Sequence, residues 1–166
     1  MNYFVGKHNC NFNILCWCKT NPIPAVNNTW LPDIEYCLVF KGKNAPRYND
    51  GIENKSKWFV SAINKTDKDL YNHPTIKAIE LVKRHLKHSV VNNDYVVLDP
   101  FLGSGTTAVA CKEIGCKYIG FEIDEKYYNI AKDRLNGIDQ HGNMSLFDTN
   151  FDNLEQMSLF GDKEND

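Results

Sequence analysis

The sequence predicts an α/β domain built on a parallel strand–helix–strand unit, and three observations carry that prediction. A short apolar run at residues 95–98 leads into a turn that holds Gly103 and Gly105. A helix-like stretch from about Gly105 to Ile114 follows, and then a second apolar run at residues 117–121 (KYIGF). Asp124 next stands where a helix N-cap belongs, ahead of Tyr127, Tyr128, Ile130, Ala131 and Leu135, and Gly137 stands where a helix stops. Strands and helices alternating at this spacing form right-handed βαβ units whose loops gather at the carboxyl end of the sheet.

The elements before this unit read as follows. Residues 12–18 (FNILCWC) are mostly apolar and suit a short strand. Pro22 and Pro24 forbid a helix there and favour an extended segment or turn. Residues 35–40 (EYCLVF) read as the next strand, 42–57 as a loop rich in Asn, Lys, Gly and Pro, and 58–63 (WFVSAI) as a further strand. His73 and Pro74 open a predicted helix to about His88, with Ile76, Ile79, Val82 and Leu86 near helical spacing. From 138 onward the chain is polar and acidic, which predicts a folded part over 1–137 and a flexible acidic tail over 138–166.

The bulk numbers narrow the class. A chain of 166 residues suffices for one domain with a core. Its apolar runs are too short for a membrane span, and residues 1–13 lack a basic end followed by an apolar stretch, so a cytoplasmic protein is expected. The six cysteines form no CxxC pair, which argues for buried, reduced thiols and against zinc. Net charge is −2, unevenly spread: residues 41–88 hold eleven Lys/Arg against five Asp/Glu, and 137–166 hold one Lys against seven Asp/Glu. The basic block suits contact with phosphates or a solvated charged face; the acidic end does not suit phosphates.

The glycine-rich turn carries the chemistry. A chain that reverses between strand and helix, and lets its backbone approach a ligand, needs glycine. Asp99 ends the first strand and can accept from an amino group. Glu122 ends the second, nineteen residues after Gly103, about where an acid meets ribose hydroxyls in nucleotide-binding βαβ units. The string GSGTTA also fits the dinucleotide fingerprint, but Asp99-Pro100-Phe101-Leu102 intervenes between strand and glycine. An aspartate there opposes a pyrophosphate and suits the amino group and sulfonium of S-adenosylmethionine. A P-loop is excluded, since no Gly-Lys-Ser/Thr follows. A plain turn without a ligand remains open on spacing alone.

The strings DPFLGSGTT (99–107) and GFEIDEKYYNIAKDRL (120–135) closely resemble the cofactor half of DNA methyltransferases that modify exocyclic amines, N6 of adenine or N4 of cytosine. The resemblance implies a Rossmann-like S-adenosylmethionine-dependent methyltransferase fold in circularly permuted order, with the cofactor motif last. It implies that Asp99, Phe101, Gly103, Gly105 and Thr106 surround the methionine and adenosine parts of S-adenosyl-L-methionine, and that Glu122 binds the ribose. His73-Pro74-Thr75-Ile76-Lys77 is similar to the family's HPT-x-K segment, so His73, Thr75 and Lys77 are expected at the cofactor's methionine end; Ala78 replaces the family's usual proline. Trp17-Cys18-Lys19-Thr20-Asn21-Pro22-Ile23-Pro24 and the later Glu35-Tyr36 look like the family's W-x-K-x-N-P-x-P stretch and E-Y strand. The resemblance covers roughly residues 12–136.

Family members hold the target amine with an Asp/Asn/Ser-Pro-Pro-aromatic tetrapeptide, whose side chain and proline carbonyl accept the amino hydrogens while the ring stacks on the flipped base. That tetrapeptide is not in this sequence. Asn21 and Pro22 begin the nearest string, which lacks the second proline and the aromatic, and they are the weak catalytic candidates. The strands that carry the acceptor motif are therefore expected to lie outside the chain. The expected function is site-specific methyl transfer to duplex DNA, as in restriction-modification, with a partner methyltransferase chain completing the site. The alternative is a noncatalytic remnant that binds cofactor or DNA. In the tail, Gln156-Met157-Ser158-Leu159-Phe160 resembles the Gln-x-x-Leu-Phe motif of sliding-clamp ligands, with Gln156, Leu159 and Phe160 as the contacts; residues 143–147 echo it without the Gln.

Overall fold

Strand β1 (Cys10–Lys19) is the centre of a three-stranded sheet of order β2-β1-β3. The computed structural model describes residues 2–24, 30–43, 45, 56–71, 76–90 and 94–138. Strand β2 (Ile34–Gly42) runs antiparallel to β1, from Cys10 opposite Gly42 to Cys18 opposite Ile34. Strand β3 (Trp58–Ser61) runs parallel to it, with Trp17 opposite Phe59. All three were expected. The first two extend further than their apolar runs, because register with a neighbour carries Asn11 and Lys41 into the ladder; β3 ends at Ser61 and not at Ile63.

Residues opposite one another share a face, and successive residues alternate. One face of this sheet carries Leu15, Trp17, Lys19, Glu35, Val39 and Phe59. The other carries Cys10, Phe12, Ile14, Cys16, Cys18, Ile34, Tyr36, Leu38, Phe40, Trp58 and Val60, none of them charged.

The βαβ unit is present. Strands β4 (Val96–Asp99) and β5 (Lys117–Gly120) pair in parallel, with Asp99 opposite Gly120. Between them runs α4 (Thr106–Ile114), and after them α5 (Glu125–Leu135). Asp124 caps α5 as expected: its carboxylate accepts the Lys126 and Tyr127 N–H groups. Gly137 follows the helix with φ +70°. The core of this unit is made of small side chains, with Ala108, Ala110, Cys111, Cys116 and Ala131 buried. They let α3 and α5 come close to α4.

Three helices differ from expectation. α1 (Asn2–His8) and α2 (Lys65–Tyr71) give no strong apolar period and were not anticipated. α3 (Ile79–Ser89) starts later than the predicted opening at His73. Residues 76–78 are not helical, and Ala78 is extended (φ −62°, ψ 122°). Ile76 is nevertheless buried, so its place in the apolar period reports burial and not a helical turn. All six cysteines are free; Cys10, Cys111 and Cys116 are buried, Cys16 and Cys18 half-buried, and Cys37 exposed on an outer strand, contrary to uniform burial. Among the described residues no helix is long and apolar enough to cross a membrane, and no cluster of three or more His, Cys, Asp or Glu is placed to hold a metal. The expectations for His73, Thr75, the tail from 139 and the Gln156, Leu159 and Phe160 motif lie outside the described residues.

Candidate cofactor site

The turn after β4 is held by β5. The Leu102 N–H donates to the Phe121 carbonyl (2.8 Å), and the Phe121 N–H donates to the Asp99 carbonyl (2.9 Å). Asp99 Oδ1 accepts the Phe101 N–H (3.0 Å), which starts the bend. Glu122 reaches back: Oε2 accepts the Gly103 N–H at 2.7 Å, and Oε1 accepts the Asp124 N–H at 2.9 Å. The two motifs singled out in the sequence are thus joined directly. Each Glu122 oxygen is fixed by one backbone donor and retains further acceptor capacity.

The two glycines serve different ends. Both have left-handed backbone, φ +56° at Gly103 and +79° at Gly105. A Cβ on Gly105 would lie 2.8 Å from Ala131 Cβ, so this glycine lets the turn pack on α5. A Cβ on Gly103 would meet nothing within 4 Å, so this glycine faces open space next to Glu122. Gly105 is also the N-cap of α4 and has no capping side chain, which leaves the helix's amino end facing the turn. Phe101 and Ile123 flank the turn, 88% and 98% exposed.

Arg134 was not anticipated. Its guanidinium is buried; Nη1 donates to the Ser104 carbonyl (2.7 Å), Ser104 Oγ (3.3 Å) and Thr106 Oγ1 (3.2 Å). Nη2 donates to Asp67 Oδ2 of α2 at 3.0 Å, and the guanidinium lies 5.0 Å from the Tyr71 ring. Burial lowers its pKa against the raising effect of Asp67 and Tyr71, and an arginine so paired stays charged. Thr106 is therefore buried with its hydroxyl turned to Arg134. The signal in the sequence was a charged residue three positions after Ala131, on the buried stripe of α5.

Three strings far apart in sequence meet at a second cluster. Glu35 lies between Lys19 (2.8 Å) and Lys77 (2.5 Å). Both ammonium groups lie near the Trp17 ring, at 5.4 and 5.8 Å, and Trp17 Nε1 donates to Ser61 Oγ (2.8 Å). Partial burial works to raise the Glu35 pKa, but the hydrogen bonds and charges of Lys19 and Lys77 outweigh it and hold it low. Lys77, expected at the cofactor, thus has a partner on β2. Asn21 Oδ1 accepts the Ile63 N–H at 2.6 Å, which ties the end of β1 to the end of β3; Pro22 is half-buried beside it. Part of the basic block is also committed internally: Lys83 bridges Glu80 and Glu113, both at 2.9 Å, and Arg84 donates to the Trp58 carbonyl.

A family model described as DNA methylase, for N6 and N4 methylases, matches residues 3–133. The chain belongs to this DNA methylase family. Among its relatives, the type II methyltransferase M2.LlaDCHI of Lactococcus lactis subsp. cremoris is 35% identical over 136 residues, 75% of this chain and 50% of that protein. The type II methyltransferase M2.DpnII of Streptococcus pneumoniae is 35% identical over 135 residues, 74% and 50% of the two chains. The chain spans about half the length of these curated relatives. The crystal structure of an M1.HpyAVI–SAM complex superposes with a TM-score of 0.68 at 30% identity, covering 81% of this chain and 67% of that one. The PvuII cytosine-N4-specific DNA methyltransferase, at 17% identity and TM-score 0.62, shares the fold.

Proposed function

We propose that this methylase is the S-adenosyl-L-methionine-binding part of a site-specific DNA methyltransferase acting on an exocyclic amine, N6 of adenine or N4 of cytosine. The observation that carries the reading is the Glu122 carboxylate fixed on the Gly103 N–H at the amino end of α4. A carboxylate so placed suits two vicinal ribose hydroxyls, and the open space at Gly103 admits a ligand against the backbone. Asp99 is at the strand end with oxygen capacity for an ammonium, and the exposed Phe101 and Ile123 offer apolar surface to a purine. The residues therefore fit an adenosyl amino acid, and S-adenosyl-L-methionine supplies an electrophilic methyl group there when bound.

The chain's own residues bind and orient. Glu122 and Asp99 fix the two ends of the cofactor, and Arg134 holds the turn between them. His73 and Thr75 are assigned to the methionine end with Lys77, whose charge is shared with Glu35. Double-stranded DNA is the substrate, and a further methyltransferase segment supplies the groups that hold the target amine. Asn21 is not assigned that task, since its oxygen is spent on Ile63. Gln156, Leu159 and Phe160 dock a bacterial sliding clamp; a restriction-modification role and a cytoplasmic location follow from this reading. The noncatalytic alternative shares the cofactor site and lacks only the acceptor groups.

Calorimetry with S-adenosylhomocysteine and with NAD tests the core of the proposal. Binding of the first and not the second is expected; the reverse, or neither, rejects it. Transfer of labelled methyl to duplex DNA by the isolated chain would reject the need for a second segment.

A further inference from the structure

The charges gathered beside Trp17 do not cancel. Lys19 and Lys77 share the carboxylate of Glu35, so the three side chains keep one net positive charge. The two lysines are not equivalent. Lys19 Nζ donates to Glu35 Oε1 at 2.8 Å and to the Pro32 carbonyl at 3.1 Å, and its side chain is 13% exposed. Among the described residues, Lys77 Nζ has Glu35 Oε2 as its hydrogen-bond acceptor, and its side chain is 48% exposed. An ammonium has three N–H donors, so Lys19 is committed inside the protein while Lys77 retains donors for a ligand. Position 77 is also tethered to the glycine turn. Asn64 Nδ2 donates to the Lys77 carbonyl at 3.4 Å and to Asp67 Oδ2 at 2.7 Å. That same Asp67 oxygen accepts from Arg134, which holds the Ser104 carbonyl.

We propose that Lys19 is a positioning residue that acts through Glu35: by occupying one oxygen of that carboxylate it leaves Lys77 only half-neutralised, and so makes the cluster select adenosyl ligands that carry a carboxylate, a selection that rests on the S-adenosyl-L-methionine reading of the site. Without Lys19, Glu35 and Lys77 would close into a neutral pair, and an incoming carboxylate would meet the charge of Glu35 uncompensated. With Lys19 in place, that carboxylate meets a net positive field. Glu35 has to lie between the two ammonium groups, because side by side they would repel one another. Burial works to raise its pKa, but the two lysines outweigh this, and the carboxylate stays ionised at neutral pH. Trp17 fixes the arrangement from below. It is buried, its Nε1 is held by Ser61 Oγ, and its ring attracts both cations.

The test compares S-adenosylhomocysteine with S-adenosyl-3-thiopropylamine, the same thioether without its carboxylate, by calorimetry on the full chain. The readout is the ratio of the two affinities. Lys19→Met should lower that ratio roughly 5–10-fold, the scale of one partly screened charge a few ångströms away, by weakening the carboxylated ligand alone. Lys19→Arg keeps the charge and should restore the ratio. Glu35→Gln leaves both ammonium groups uncompensated and should raise it. A cluster that only clamps β1, β2 and residue 77 together would move both variants the same way. An unchanged ratio in Lys19→Met, or a fall in both variants, therefore overturns the proposal. So does equal weakening of the two ligands in a Lys19→Met chain with parent-like circular dichroism, because Lys19 would then shape the whole site. Should Lys19→Met fail to fold, Glu35→Gln decides: a raised ratio supports the proposal and a lowered one rejects it. A parent chain that binds both thioethers equally rejects the selection by Lys19 and leaves the proposed function standing. A parent chain that binds neither removes both.

Discussion

Arg134 and Asp67, sixty-seven residues apart, form a 3.0 Å ion pair that ties α5 to α2 beneath the glycine turn. The same guanidinium holds the Ser104 carbonyl and the Thr106 hydroxyl. Position 134 thus sets both the turn and the helix that leads toward His73. Arg134→Met removes the donor from four acceptors at once, and breaking such a buried pair costs about 3–5 kcal/mol. Urea unfolding should show that loss, with Arg134→Lys recovering only part of it, because a lysine cannot match the forked geometry. A change within about 0.5 kcal/mol would mean the guanidinium is dispensable.

The two turn glycines should separate stability from binding. Gly105→Ala forces a methyl against Ala131 and should cost about 1–3 kcal/mol of stability by overpacking, in addition to its backbone strain. Gly103→Ala meets no neighbour and should cost only the left-handed backbone penalty of about 1–2 kcal/mol. It should nevertheless weaken S-adenosylhomocysteine by about tenfold or more, about 1.4 kcal/mol, as its methyl enters the proposed ligand space. Thermal melts and calorimetry on the same two variants decide between these roles.

Glu122→Ala should reduce S-adenosylhomocysteine affinity roughly 10–100-fold, since hydrogen bonds to a charged group contribute about 1.5–3 kcal/mol. The variant also frees the Gly103 and Asp124 N–H groups. Glu122→Gln, which keeps one acceptor, should therefore be the milder change. Equal affinity in Glu122→Ala and the parent would remove this carboxylate from the site.

His85 gives a pH signature. It lines a cavity of about 200 Å³ between α3 and the sheet, with Leu15, Val39, Phe59 and Arg84 among its neighbours. Burial depresses its pKa, and the charges of Arg84 and His88 depress it further. The unfolded chain therefore takes up a proton on His85 before the folded one does. Stability contributed by neutral His85 is full above the ordinary histidine range and falls as pH drops from about 6.5 toward the folded value. Denaturant midpoints from pH 8 to pH 5 should decline less in His85→Leu than in the parent. Parallel declines would show that His85 does not set this slope.

The sequence was most informative where local chemistry decides the structure. The glycine turn, the Asp124 cap and the two parallel strands stand where turn residues, capping and apolar runs place them. It was least informative where tertiary contacts decide. The burial of Ile76 imitated a helical period over residues that are not helical, and α2 is tied in place by Asp67 and Tyr71 meeting Arg134. Motif strings identified Trp17, Lys19, Glu35 and Lys77 one by one. Only the fold brings them around a single ring, because the pairing of β1 with β2 sets Glu35 opposite Trp17 and Lys77 reaches the pair from far along the chain.

That ring is also an optical probe placed by nature. Of the three tryptophans, Trp17 is 4% exposed, whereas Trp30 and Trp58 are 97% and 61% exposed. A water-borne quencher such as iodide would silence the latter two and leave the emission of Trp17, with two ammonium groups within 6 Å to tune its colour. Events that draw Lys77 away from Glu35 would then be read directly as a spectral shift, without any label.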